Sequence, residues 1–160
     1  FILDLPMSKK QEPTIYDCFD TYFEGEILEG DNAWFNEKTN KKEDVSRNIS
    51  FWSFPDVLIV SFKRFTPSLR KDQRLVTFPL ENLDLKTYAT GYLKDQYIYD
   101  LCGVCNHSGN VMGGHYTAYV KNEDKEWYCF NDTQVTKIDD RSKIISTYAY
   151  CLFYKKKTIR

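Results

Sequence analysis

The residues with the clearest chemical potential are His115 and the polar pair Asn131-Asp132. His115 follows Gly113-Gly114 and opens the run Tyr116-Thr117-Ala118-Tyr119-Val120-Lys121. That run is rich in aromatic and β-branched residues and predicts a strand. Trp127-Tyr128-Cys129-Phe130 predicts a second strand, which ends on Asn131 and Asp132. The short charged stretch at 122–126 predicts a hairpin turn between them. If Lys121 faces Lys125, His115 lies opposite Asn131. If Lys121 faces Glu126, His115 lies opposite Asp132. Directly opposed residues share a face, with Cβ atoms ~5 Å apart. An amide or carboxylate oxygen there would accept from one ring nitrogen, fix the tautomer and leave the other nitrogen basic. A general base needs that arrangement. A lone histidine at a strand start is more commonly a polar rim residue. The pattern by itself leaves both readings, and both partners, open.

A histidine base needs a nucleophile. The chain has no Gly-x-Ser-x-Gly elbow. It has five cysteines, and most read as packing residues. Cys18 lies on the apolar face of a predicted helix, and Cys129 lies within the hairpin. Cys102-Gly103-Val104-Cys105 is a single CxxC. In a regular strand its thiols point to opposite faces, and no second CxxC accompanies it, so no metal or other cofactor is expected. Cys105 is the one internal thiol near enough in sequence to serve His115.

The elements that must position these residues follow from hydrophobic periodicity. A strand is expected at 1–5 and a polar linker at 8–13. Thr14 caps a helix, with Asp17 completing a capping box. Ile15, Cys18, Phe19, Tyr22 and Phe23 form its apolar face. Residues 29–32 read as a turn, and 36–47 as a solvated loop or hairpin of mixed charge. Strands are expected at 49–54, at 57–62 as a central buried strand, at 75–78, at 97–104, at 134–138 and at 146–155. Residues 66–74 and 105–112 read as loops. A core face around Trp52, Val57, Ile59 and Phe62 should meet other parts of a domain. The fold class is α+β and β-rich: a mostly antiparallel twisted sheet with few helices.

The 160 residues are 42% hydrophobic and 16% aromatic, which suits one folded, β-leaning domain. A net charge of −1 argues against nucleic acid or an anionic membrane as partner. No apolar run approaches the ~20 residues of a membrane span. The first residues lack the basic region of a signal peptide. An odd number of irregularly spaced cysteines suits free thiols, and hence the cytoplasm or nucleus.

Four segments together resemble the catalytic domain of the ubiquitin-specific proteases, the papain-like cysteine deubiquitinases. Asn106-His107-Ser108-Gly109 with Met112-Gly113-Gly114-His115-Tyr116 is similar to the family's histidine box. Trp127 to Asp132 with Val135 is similar to its Asp/Asn segment. Phe54-Pro55-Asp56-Val57-Leu58-Ile59-Val60 with Lys63-Arg64-Phe65, and Phe78-Pro79-Leu80 with Leu83-Asp84-Leu85, are similar to its core strand and connector. The resemblance runs from about Thr14 to Tyr154. It implies His115 as general base, Asn131 as its orienting partner and Asp132 as an adjacent supporting residue. It also implies that His107, Gly113, Gly114 and Tyr116 lie along the C-terminal tail of ubiquitin. Ubiquitin and ubiquitinated proteins are the implied partners, and hydrolysis after ubiquitin's last glycine is the implied reaction.

Two departures accompany the resemblance. The family's N-terminal cysteine box is not found in the chain. Residues 1–160 therefore read as the C-terminal portion of one catalytic domain, its fingers and palm, with the missing N-terminal half as a further partner. The second CxxC of the family's zinc-binding fingers would fall near Trp34 to Lys38, where none occurs, so no zinc is expected. The main alternatives are a non-catalytic ubiquitin-binding module or inactive relative, and a structural β-domain with only a core hydrogen bond at His115.

Overall fold

The paired strands at 57–63 and 149–156 supply a large part of the buried core. The computed structural model describes residues 2–158. In chain order the elements are β1 (Ile2–Pro6), α1 (Ile15–Phe23), β2 (Glu26–Leu28), β3 (Trp34–Asn36), β4 (Lys41–Glu43), β5 (Val45–Arg47) and β6 (Val57–Lys63). They continue as β7 (Leu83–Asp84), β8 (Ile98–Asn110), β9 (Gly113–Lys121), β10 (Trp127–Asn131), β11 (Gln134–Lys137) and β12 (Ala149–Lys156). The main sheet runs β1-β6-β12-β8-β9-β10-β11, with β7 pairing β8 off that path. Only β1 and β6 are parallel, so the sheet is mostly antiparallel, as the sequence implies. The strand expected at 1–5 is β1; Phe1 lies outside the described residues.

Period-2 alternation decides which side of the sheet holds the core. In β6, Leu58, Val60 and Phe62 are fully buried, while Val57 is half-exposed. Phe62 thus belongs to the core rather than to a shared face with Val57 and Ile59, and Trp52 is exposed. Leu3, Leu5, Leu152, Tyr154, Val104 and Trp127 continue the same core. Helix α1 covers it with Ile15, Cys18 and Phe19. Burying each large apolar side chain contributes roughly 1.5–3 kcal/mol. The capping box holds as expected: Asp17 N donates to Thr14 Oγ1 at 3.2 Å, and Thr14 N donates to Asp17 at 2.8 Å. The mixed-charge stretch at 36–47 falls within two small two-stranded sheets, the β3–β4 hairpin and the β2–β5 pair that brackets it.

Three expectations are corrected. Residues 49–54 form no strand beyond one bridge from Phe51 to Ala89. Their apolar side chains pack instead: Phe51 meets Tyr22, Phe23 and Phe54 at ring distances of 5.8, 5.4 and 4.9 Å. Residues 75–78 also make only one bridge, Thr14 to Thr77, although Val76 and Phe78 are buried. In both segments the apolar pattern encodes burial without a strand partner. Residues 105–112 are mostly not a loop. Strand β8 continues to Asn110, pairing with β9 until Asn110 meets Gly113, and only Val111 and Met112 turn. The Asn, Ser and Gly content reads as a loop locally, but the neighbouring strands supply the ladder.

Candidate active site

His115 and Asn131 meet, but by a different register from either one expected. Lys121 pairs with Trp127, and Phe130 with Ala118. The turn holds one more residue than the longer expectation. Asn122 N donates to Glu126 O at 2.9 Å, and Lys125 N donates to Asn122 O at 2.9 Å. Within these five residues Asn122 and Glu126 close on each other, and Lys125 takes φ +65°, the left-handed position of the tip between them. Continued one step, that register sets Asn131 opposite Thr117, so His115 and Asn131 are diagonal neighbours on one face. Such diagonals lie ~7–8 Å apart and remain within reach of long side chains. The His115 ring spans the gap, and its Nε2 lies 2.6 Å from Asn131 Oδ1.

The amide oxygen can only accept, so Nε2 carries the proton and Nδ1 presents its lone pair. That is the tautomer a base needs. Asp132 follows at φ +51° in the tight turn to β11, where Asn131 pairs with Gln134. Among the described residues its carboxylate takes no hydrogen bond or ion pair. The structure therefore brings Asn131, not Asp132, to the imidazole.

The face around His115 is concave. A pocket of about 320 Å³ is lined by Asn106, Ser108, His115, Thr117, Tyr119, Cys129 and Tyr148. Asn106 and Ser108 join it because β8 is a strand there: Asn106 pairs with Thr117 and Ser108 with His115. Reading period 2 through the Asn-His-Ser-Gly stretch would have found both. Asn106 is 3% exposed, and neither amide atom has a partner among the described residues.

His107 occupies the other face of the sheet, not an exposed loop. It is 4% exposed and packs against Tyr116, Tyr150 and Phe65 at ring distances of 4.7, 5.7 and 5.9 Å. Lys71 Nζ donates to its backbone carbonyl. Burial, and then the nearby Lys71 ammonium, push the His107 pKa down, which favours the neutral ring. Gly114 is fixed by this packing: a Cβ there would sit 2.4 Å from His107 Nε2 and 2.3 Å from the Ser108 carbonyl. A Cβ on Gly113 would meet nothing within 4 Å. Tyr116 is half-exposed beside the cluster.

None of the thiols is paired beside the His115 ring, although Cys129 lines the far end of the same pocket. Cys18 is buried in α1, and burial raises its pKa. Cys105, the internal candidate, pairs with Ala118 and so faces away from His115. Cys129 shares the His115 face, but it pairs with Tyr119, four residues or roughly 14 Å along the strand. Cys102 donates to the Phe153 carbonyl at 3.3 Å. Among the described residues no three His, Cys, Asp or Glu side chains gather as a metal site would require.

A buried cation braces the backbone at the start of β12. Arg64 is fully buried and donates to three backbone carbonyls: Ala149 at 2.8 Å, Asp72 at 3.0 Å and Arg74 at 2.8 Å. It ties the 65–74 loop to the start of β12, next to Tyr148 and Tyr150.

The family model for ubiquitin carboxyl-terminal hydrolase matches residues 6–154. Ubiquitin carboxyl-terminal hydrolase 31 of Homo sapiens is 36% identical over 174 residues, covering 92% of this chain and 13% of that protein. Ubiquitin carboxyl-terminal hydrolase 9 of Arabidopsis thaliana is 34% identical over 153 residues, covering 93% of this chain and 17% of that protein. The chain thus spans less than a fifth of these relatives. Among solved structures, a SAGA DUB module containing Ubp8 and bound to monoubiquitin matches with a TM-score of 0.82 at 29% identity. That match covers 99% of this chain and 35% of the solved one. A related module bound to ubiquitin aldehyde matches with a TM-score of 0.80 at 28% identity. With a sheet and helix that overlay ubiquitin-specific protease domains, and a family match across nearly its whole length, this chain belongs to the ubiquitin carboxyl-terminal hydrolase family.

Proposed function

We propose that this chain is the base-bearing portion of a thiol-dependent deubiquitinase whose nucleophilic cysteine lies outside these residues. The 2.6 Å contact between His115 Nε2 and Asn131 Oδ1 carries the reading. It leaves Nδ1 free to take the proton of a cysteine thiol approaching the pocket. The thiolate attacks the carbonyl of ubiquitin's C-terminal glycine. His115 then returns the proton to the departing amine, and an acyl-enzyme forms. Water, deprotonated by the same nitrogen, releases ubiquitin. Asn131 orients the ring throughout, and Asp132 shapes the turn that holds Asn131 in place.

The glycines and the aromatic cluster support a site for ubiquitin's tail. Gly113 and Gly114 leave the turn without side-chain bulk, while Tyr116 offers a half-exposed ring backed by His107. A slim, glycine-ended tail suits such a surface. Ubiquitin and ubiquitinated proteins are the proposed partners, together with the part of the domain that carries the cysteine. Five free thiols suit the reducing cytoplasm or nucleus.

A ubiquitin probe with a C-terminal electrophile tests this reading on the full-length protein. The adduct should map to a cysteine outside residues 1–160. An adduct on Cys105 or Cys129 would overturn the assignment.

A further inference from the structure

One row of directly opposed residues crosses the sheet on the side away from the His115 pocket. It runs Asp4, Ser61, Cys151, Cys105, Ala118 and Phe130, over β1, β6, β12, β8, β9 and β10. Two thiols are therefore cross-strand neighbours at its centre, each half-buried and free. Tyr150, next to Cys151 in β12, packs against His107, two residues beyond Cys105 in β8, so the pair lies near the His107 aromatic cluster. No other cysteine shares this pairing. Cys18 lies in α1, Cys129 faces Tyr119, and Cys102 donates to the Phe153 carbonyl.

We propose that Cys105 and Cys151 form a reversible cross-strand disulfide site that takes its oxidising equivalents from a small-molecule disulfide. Directly opposed residues in an antiparallel pair have Cα atoms ~4.5–5.5 Å apart, inside the ~4.4–6.8 Å range that disulfides span. Their Cβ atoms lie ~4.5–5.5 Å apart against ~3.8 Å in a relaxed disulfide, so closure draws the strands together by about 1 Å. The β8–β12 ladder shifts register between Ala149 and Cys151, and such an irregularity supplies the backbone freedom. A bond closed under that strain is readily reduced, which makes the site reversible.

The chemistry is two exchanges. One protein thiolate attacks a sulfur of the small disulfide, forming a mixed disulfide and expelling one small thiolate. The second protein thiolate attacks the protein sulfur of that mixed disulfide and expels the other. Two protein thiols are oxidised to one disulfide, one small disulfide is reduced to two thiols, and the two protons pass to the leaving thiolates. Burial raises both protein thiol pKa values. Cys151 is pushed up to about 11, with Cys105 adding to the effect. The attacking form is scarce at neutral pH, so the rate should climb about tenfold per pH unit below the thiol pKa.

The test incubates the full-length protein across a series of reduced-to-oxidised glutathione ratios, followed by acid quench, alkylation and peptide mapping. The expected product is a Cys105–Cys151 linked peptide, lighter by two hydrogens, formed faster at pH 9 than at pH 7 and erased by dithiothreitol. Cys105→Ser and Cys151→Ser should each replace the link with a glutathione adduct on the remaining thiol. The proposal is overturned if both cysteines are recovered alkylated in fully oxidised glutathione at pH 9. It is equally overturned if each is found linked to another cysteine.

Discussion

Replacing Asn131 by Ala isolates the contact on which the catalytic reading rests. The variant removes the oxygen 2.6 Å from His115 Nε2 and touches no core residue, since Asn131 is exposed. In the transition state the imidazole carries charge, and a hydrogen bond to a charged group is worth about 1.5–3 kcal/mol. At 1.36 kcal/mol per decade, the loss in kcat is about 10- to 150-fold. Because water can reach the freed Nε2, the lower half of that range is expected. KM should hardly change, because the lost bond orients the base rather than binding ubiquitin. The assay is steady-state cleavage of a ubiquitin C-terminal amide by the full-length protein. Asn131→Asp keeps an acceptor and should recover most of the rate. Asp132→Asn tolerates the turn's φ of +51° and should cost no more than about twofold. If Asn131→Ala stays within about twofold of the parent, or Asp132→Asn loses more rate than Asn131→Ala, the assignment of the orienting residue is refuted.

The two glycines separate packing from substrate passage. Gly114→Ala should destabilise the protein by about 1–3 kcal/mol, seen as a lower urea midpoint, because its Cβ meets the His107 ring and the Ser108 carbonyl. Gly113→Ala should leave the midpoint unchanged yet slow ubiquitin cleavage, which kinetics beside an unfolding curve will check. Arg64→Met strands three backbone carbonyls, each costing about 1–3 kcal/mol, and should unfold at markedly lower urea than the parent. His107 has a folded-state pKa below its unfolded value, so the unfolded chain binds the extra proton. Stability should therefore fall as pH drops through the unfolded histidine value near 6.5, and His107→Phe should flatten that slope in pH-dependent unfolding.

Much of this arrangement was legible in the sequence, and the gaps have identifiable causes. The capping box at Thr14 and Asp17, the helix face of Ile15, Cys18 and Phe19, and the central strand at 57–62 all followed local rules. The approach of His115 to Asn131 was legible although the register was not. A turn closed by a left-handed Lys125 carries no glycine to mark it, and a register two residues further on, with Lys121 facing Trp127 instead of Lys125, turned a direct pair into a diagonal one. The strand nature of 105–110 was hidden because Asn106, His107 and Ser108 owe their conformation to strands β9 and β12. That error moved His107 from an expected loop to a buried cluster, and concealed Asn106 and Ser108 as neighbours of His115. Residues 49–54 failed in the opposite sense: their aromatics signal burial against α1, which needs no ladder.

The proposed role of His115 is to move the proton in ubiquitin hydrolysis through Nδ1, with Asn131 orienting the ring. The most direct measurement compares cleavage of a ubiquitin C-terminal amide with binding of ubiquitin itself, in the full-length protein and its His115→Ala variant. Cleavage should fall by at least about 10³-fold, in line with loss of a general base, while ubiquitin binds with unchanged affinity. Retained cleavage in His115→Ala would contradict that role.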